Sequence, residues 1–177
     1  NAAKEPEIVN VATFLNNMGA KIRGAGTETI TIKGVEHLHK AFHEVIPDRI
    51  EAGTYIIIGA LLGENLKIKR IIPTHVESLT SKLIEAGADM EIKEDEIIIN
   101  AKDKYKSVNV KTQPYPGFPT DMQPQMAAVL SMANGVSTVT ESIFENRFKY
   151  MSELGRMGAV NKVEGNTAII TGVGSLE

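Results

Sequence analysis

The chain has no cysteine among its 177 residues. That excludes a disulfide framework, a thiolate nucleophile and any cysteine-ligated metal. It has no strong excess of charge either, since 19 basic side chains stand against 22 acidic ones, for a net charge of −3. Such a balance gives no electrostatic reason to expect nucleic acid or an anionic membrane as a partner. No apolar run reaches the roughly 18 residues that suggest a membrane span. The opening residues, NAAKEPEIVN, lack the zones of a signal peptide. They start without methionine inside a segment that reads as a helix, so a piece of something longer is expected.

Familiar ligand motifs are missing as well. The glycine-rich RGAGTET, residues 23–29, lacks the lysine and the length of a phosphate-binding loop and reads as a hairpin turn. His37, His39 and His43 have no acid cluster beside them, so no metal is expected there. Lys67, Lys69 and Arg70 alternate with apolar residues and read as the solvent face of a strand.

What the chain does have is repetition. FLNNMGAKIRGAGTETITIKG (14–34), KLIEAGADMEIKEDEIIIN (82–100) and ELGRMGAVNKVEGNTAIITG (153–172) share one pattern. Each places a leucine four residues before a Gly-Ala pair: Leu15 before Gly19, Leu83 before Gly87, Leu154 before Gly158. Each pair is followed by a short strand, a polar turn and a second strand of alternating apolar residues. The pattern predicts a helix ended by a left-handed glycine and then a β-hairpin.

A second repeat precedes the first. PDRIEAGTYIIIGALLGENLKIKRI (47–71) aligns without gaps on PTDMQPQMAAVLSMANGVSTVTESI (119–143). Each copy predicts a turn, an apolar helix of about three and a half turns, a glycine stop and a strand. Helices apolar nearly all round are expected to be buried. Asp48 with Glu51, Thr74 with Glu77, and Thr120 with Gln123 have the spacing of capping boxes. The fold class is therefore α/β (α+β), made of repeated β-α-β-α-β-β units with buried helices behind four-stranded sheets. The stretch from Gly34 to Val45 reads as a linker.

Those units, with the separate motifs NAAKEPEIV, PDRIEAGT, PYPGFPTDMQ and FENRF, resemble the enolpyruvyl transferases. The resemblance runs over essentially the whole chain but covers less than half of such an enzyme. It implies a two-lobed protein of six such units, each lobe an inside-out α/β barrel. Residues 1–44 would end the first lobe. Residues 45–108 and 109–177 would be two of the three units of the second. It also implies the reaction: enolpyruvyl passes from phosphoenolpyruvate to the 3′-hydroxyl of UDP-N-acetylglucosamine, in the cytoplasm, early in peptidoglycan synthesis, without cofactor or metal. The sister reaction on shikimate 3-phosphate is the alternative, although NAAKEPEI and FENRF fit it poorly. A third alternative is a non-enzymatic repeat module that self-associates through an exposed half-core.

The same resemblance assigns roles. Asp121 matches the base that takes the sugar's proton, and it also binds the substrate. Pro114, Pro116 and Pro119 would stiffen its approach, and Thr120 would cap the helix behind it. The helix N-terminus would favour Asp121 as the anion. On the residues alone, Asp121 is equally a favourable acid in a first helical turn. Ile143 and Phe144 would lie beside the sugar nucleotide, Ile143 through its backbone. Glu145 and Arg147 would shape the cleft, with Arg147 gripping an anion; the alternative is a dipole-favouring acid and a surface pair. Asp48 and Arg49 align on the Asp121 turn and would lie near the cleft, or else serve as a cap and a structural ion pair. Pro124 and Met126 depart from the family's usual alanine and phenylalanine. The first-lobe loop and the basic residues of the phosphoenolpyruvate site are absent, so no activity is expected of this chain alone.

Overall fold

Pro6 opens helix α1 (Pro6–Asn17), at a position where a missing N–H costs nothing. The hairpin β1 (Lys21–Arg23) and β2 (Thr31–Lys33) follows, and Asn16 anchors it by bonding both backbone groups of Ile22. These elements belong to one of two compact units in the computed structural model, which describes all residues 1–177. That unit comprises residues 1–47 and 114–116; the other comprises 48–113 and 117–177.

The second unit begins with α2 (Arg49–Leu62), whose start is fixed by Asp48. The Asp48 carboxylate accepts from Ile50 N at 2.8 Å and Glu51 N at 3.1 Å, satisfying two of the helix's free donors. Strand β3 (Leu66–Lys69), a 3-10 turn at Pro73–Val76, helix α3 (Glu77–Ala86) and strands β4 (Asp89–Ile92) and β5 (Glu96–Asn100) complete the first repeat. The second repeat contains β6 (Asn109–Lys111), a 3-10 turn at Thr120–Met122, α4 (Gln123–Ser131) and β7 (Val136–Thr140). It ends with α5 (Tyr150–Arg156), β8 (Val160–Glu164) and β9 (Thr167–Thr171).

All three Gly-Ala stops form as expected. Gly19, Gly87 and Gly158 take φ of 98°, 103° and 94°. In each case the following alanine N–H reaches back to the repeated leucine: Ala20 to Leu15, Ala88 to Leu83 and Ala159 to Leu154, at 3.0, 2.8 and 3.0 Å. This is the Schellman closure, and each is followed by an antiparallel hairpin.

The sheets differ from expectation in strand number. The second repeat has four strands in the order β6-β7-β9-β8, with β6 parallel to β7. The first repeat has three, β3-β5-β4, and the hairpin β1-β2 is a sheet of two. Extending the repeat alignment backward puts residues 37–39 opposite β6. That segment forms no strand, and the His39 N–H is bonded to Met18 O at the end of α1.

The core of the second unit gathers Ile56 and Ala60 of α2, Leu79 and Leu83 of α3, Ile97 and Ile99 of β5, and Met126 and Leu130 of α4. Helix α4 is buried as its composition demands. Helix α2 is not buried all round: Tyr55, Ile58 and Leu62 leave an exposed apolar stripe. Only one predicted capping box has its side-chain cap, that of Asp48. Neither Thr74 nor Thr120 caps a helix, because each lies in a 3-10 turn ahead of the helix proper.

Candidate active site

Ser137 and Val139 point inward from β7, and the same parity carries inward to Glu141, just past the strand's end. Glu141 is 3% exposed. A buried carboxylate survives only with its oxygens satisfied, and five donors converge on this one. Its Oε1 accepts from Thr112 Oγ1 at 2.8 Å, Ile143 N at 2.6 Å and Phe144 N at 3.1 Å. Its Oε2 accepts from Thr120 Oγ1 at 2.7 Å and Gln123 Nε2 at 2.5 Å. Burial pushes this carboxyl up, but the bonds from Thr120, Ile143 N, Thr112 and Phe144 N outweigh it and hold the group below its ordinary value.

The network extends beyond the carboxylate. Gln123 Oε1 accepts from Tyr150 OH at 2.8 Å. Burial, then the Glu141 charge, raises the Tyr150 phenol against the opposing pull of Arg147, so it stays a proton donor. Ser142 N donates to Thr112 Oγ1 at 2.9 Å, and Ser142 Oγ to Thr112 O. The ends of β6 and β7, the 3-10 turn and the start of α5 are thereby joined.

Asp121 is the middle residue of that turn, between two partners of Glu141. Its side chain is 56% exposed and forms an ion pair with Arg147 Nη2. The Arg147 guanidinium carbon lies 5.2 Å from the Phe144 ring centroid, a cation–π arrangement. Asn146, at φ 57°, turns the loop between the two, in a conformation asparagine tolerates better than most residues. Residues Glu141 to Phe148, with Gly165 and Asn166, line a cavity of about 510 Å³. Asp121 stands outside this lining and reaches it through Arg147.

The structure thus brings together Asp121, Phe144 and Arg147, and puts Ile143 and Glu145 in the cavity wall. Thr120 supports the site by donating to Glu141. Asp121 turns toward Arg147, so an ion pair, and no helix amide, is what its carboxylate meets here. Neither Asp48 nor Arg49 lines the cavity; Asp48 is the α2 cap. Glu141 and Thr112 were not singled out from sequence, and Gln123 only as half of a capping box. The sequence carried no clear signal for Glu141, because VSTVT places a valine at each parity and only the burial of Ser137 and Val139 shows which face points inward.

The chain matches the family described as EPSP synthase (3-phosphoshikimate 1-carboxyvinyltransferase) over residues 1–177. It is 51% identical over 177 residues to UDP-N-acetylglucosamine 1-carboxyvinyltransferase 2 of Listeria monocytogenes serovar 1/2a, covering 100% of this chain and 42% of that protein. It is 56% identical over 173 residues to the protein of the same name from Bacillus subtilis strain 168, covering 97% of this chain and 40% of that one. Among solved structures, the enolpyruvyl transferase NikO from Streptomyces tendae superposes with a TM-score of 0.82 at 28% identity, over 95% of this chain and 40% of that one. The chain therefore spans about two fifths of the length of these relatives. With the family matched from the first residue to the last, this chain belongs to the EPSP synthase family of enolpyruvyl transferases.

Proposed function

We propose that this chain supplies part of the active site of an enzyme that moves the enolpyruvyl group of phosphoenolpyruvate onto the 3′-hydroxyl of UDP-N-acetylglucosamine. The observation that carries the reading is the exposed Asp121 carboxylate, held on a turn whose flanking side chains are bonded to a buried acid and paired with an arginine of the adjoining cavity. A sugar hydroxyl is a poor nucleophile, and a carboxylate of fixed orientation takes its proton as the new bond forms. Arg147 serves that chemistry as a cation that exchanges Asp121 for an anionic substrate group. Phe144 and Ile143 supply the wall. The Ile143 N–H is already bonded to Glu141, so its backbone offers the sugar nucleotide only a carbonyl.

In this reading residues 1–44 close the first lobe, and 45–108 and 109–177 are two units of the second. The remainder of a two-lobed chain completes the site, and the reaction belongs to cytoplasmic peptidoglycan precursor synthesis. The names of the 51–56% identical relatives favour the UDP-sugar over shikimate 3-phosphate as acceptor. The test is phosphate release by the full-length protein from phosphoenolpyruvate plus UDP-N-acetylglucosamine. D121N lowers kcat by about 10²–10⁴-fold there with the melting temperature kept. Residual activity within a few-fold of wild type, or turnover by residues 1–177 alone, contradicts the assignment.

A further inference from the structure

Glu141 has no role in the proton transfer described above, yet it is the most heavily bonded side chain near it. Oε1 takes the Thr112 hydroxyl at the end of β6, and beyond that bond the two oxygens divide their work between two segments. Oε2 takes Thr120 and Gln123, which flank Asp121 in sequence. Oε1 takes the N–H groups of Ile143 and Phe144, which begin the loop carrying Arg147. Each half of the Asp121–Arg147 ion pair is therefore tethered to a different oxygen of one buried carboxylate. We propose that Glu141 is a positioning residue that sets Asp121 against Arg147 and the cavity by bracing the turn with one oxygen and the loop with the other. The proposal deepens the functional reading and rests on it for its kinetic arm.

The donors differ in kind, and that makes the proposal testable. The N–H groups of Ile143 and Phe144 can only donate. In E141Q the introduced amide therefore keeps its oxygen on the loop side, and its NH2 replaces Oε2. That NH2 faces Thr120 and Gln123. The Thr120 hydroxyl can rotate and accept. The Gln123 amide presents Nε2, a donor, and can accept only by flipping, which takes Oε1 away from the Tyr150 hydroxyl proton it now accepts. E141Q thus releases the Asp121 turn and spares the Arg147 loop. Adding Q123E restores the match, since a carboxylate at 123 accepts from the new amide with one oxygen and from Tyr150 with the other.

The experiment compares the full-length wild type, E141Q and E141Q/Q123E. E141Q lowers kcat by at least about tenfold, as small misplacements of a catalytic group do, with KM for UDP-N-acetylglucosamine essentially unchanged. The double variant recovers most of the loss. Hydrogen exchange by mass spectrometry quickens in E141Q across residues 117–126, stays as in wild type across 141–150, and returns to wild type in the double variant. A merely structural role loosens both segments together and lowers the amount of active enzyme without a kcat-specific effect. Wild-type kcat in E141Q, equal loosening of both segments, or restored exchange without restored kcat each overturns the proposal. If full-length wild type shows no turnover of these substrates, the functional reading fails, and the exchange pattern alone decides whether Glu141 braces the turn.

Discussion

At the scale of single residues, the most heavily bonded side chain of the candidate site is the buried carboxylate of Glu141. Asp121 stood out in the sequence because FPTDMQ resembles a family motif. Glu141 did not, because its partners at 112, 120 and 123 are distant in sequence and none forms a local pattern with it. Thr120 and Gln123 show how a local rule misleads: their spacing is that of a capping box, but both side chains are drawn to Glu141. The folded-state depression of Glu141 has a pH consequence. A carboxyl held below its unfolded value stabilises the protein above about pH 4.3, and that stabilisation is lost as pH falls through the lower folded value. Wild type thus loses stability on acidification partly through this group. E141Q is less stable at neutral pH by about 2 kcal/mol, because a buried donor is left unpaired, and its acid limb is shallower. Urea titrations from about pH 7 down to about pH 3 measure both; parallel limbs contradict the claim.

At the scale of elements, glycine does two separable jobs. Gly87 and Gly158 hold left-handed φ, and an added Cβ at either meets nothing within 4 Å. The cost of G87A or G158A is then backbone strain alone, about 1 kcal/mol. Gly59 sits inside α2, where a Cβ lies 2.3 Å from Ile99 Cγ2 of β5. Helix propensity favours alanine there by about 0.5–1 kcal/mol, but overpacking costs about 1–3 kcal/mol, so G59A destabilises on balance. Calorimetric melts of the variants separate the cases: asparagine at 87 recovers part of its loss, whereas I99A, which removes the clashing Cγ2, makes the added cost of G59A smaller than in wild type. The three helix stops and their hairpins were legible because a positive φ strongly restricts residue choice. The missing fourth strand of the first repeat was not. Residues 37–39 align with β6, but the His39 N–H is bonded to Met18 O at the end of α1.

At the scale of the whole molecule, the second unit has an unevenly covered surface. Tyr55, Ile58 and Leu62 are 52%, 41% and 79% exposed along one stripe of α2. The repeat equivalents of the first two, Ala127 and Leu130, are fully buried in α4. Apolar stripes of this kind attract partners or other copies. Residues 1–177 by themselves are predicted to self-associate at micromolar concentration, and Y55E/L62E to return them to monomer. Light scattering on a sizing column measures both, and a monomeric wild-type fragment refutes the prediction.

The parallel pairing of β6 with β7 has a consequence for assembly. The hairpins β4-β5 and β8-β9 join strands separated by only a few residues, but β6 meets β7 across 29 positions, and Thr112 reaches Glu141 over the same interval. Distant pairing must meet its loop-closure entropy before it gains any contact. The corner around Glu141 is accordingly expected to be completed late, after the nearby hairpins have closed. Substitutions there shorten the lifetime of the native state and leave its rate of formation almost untouched.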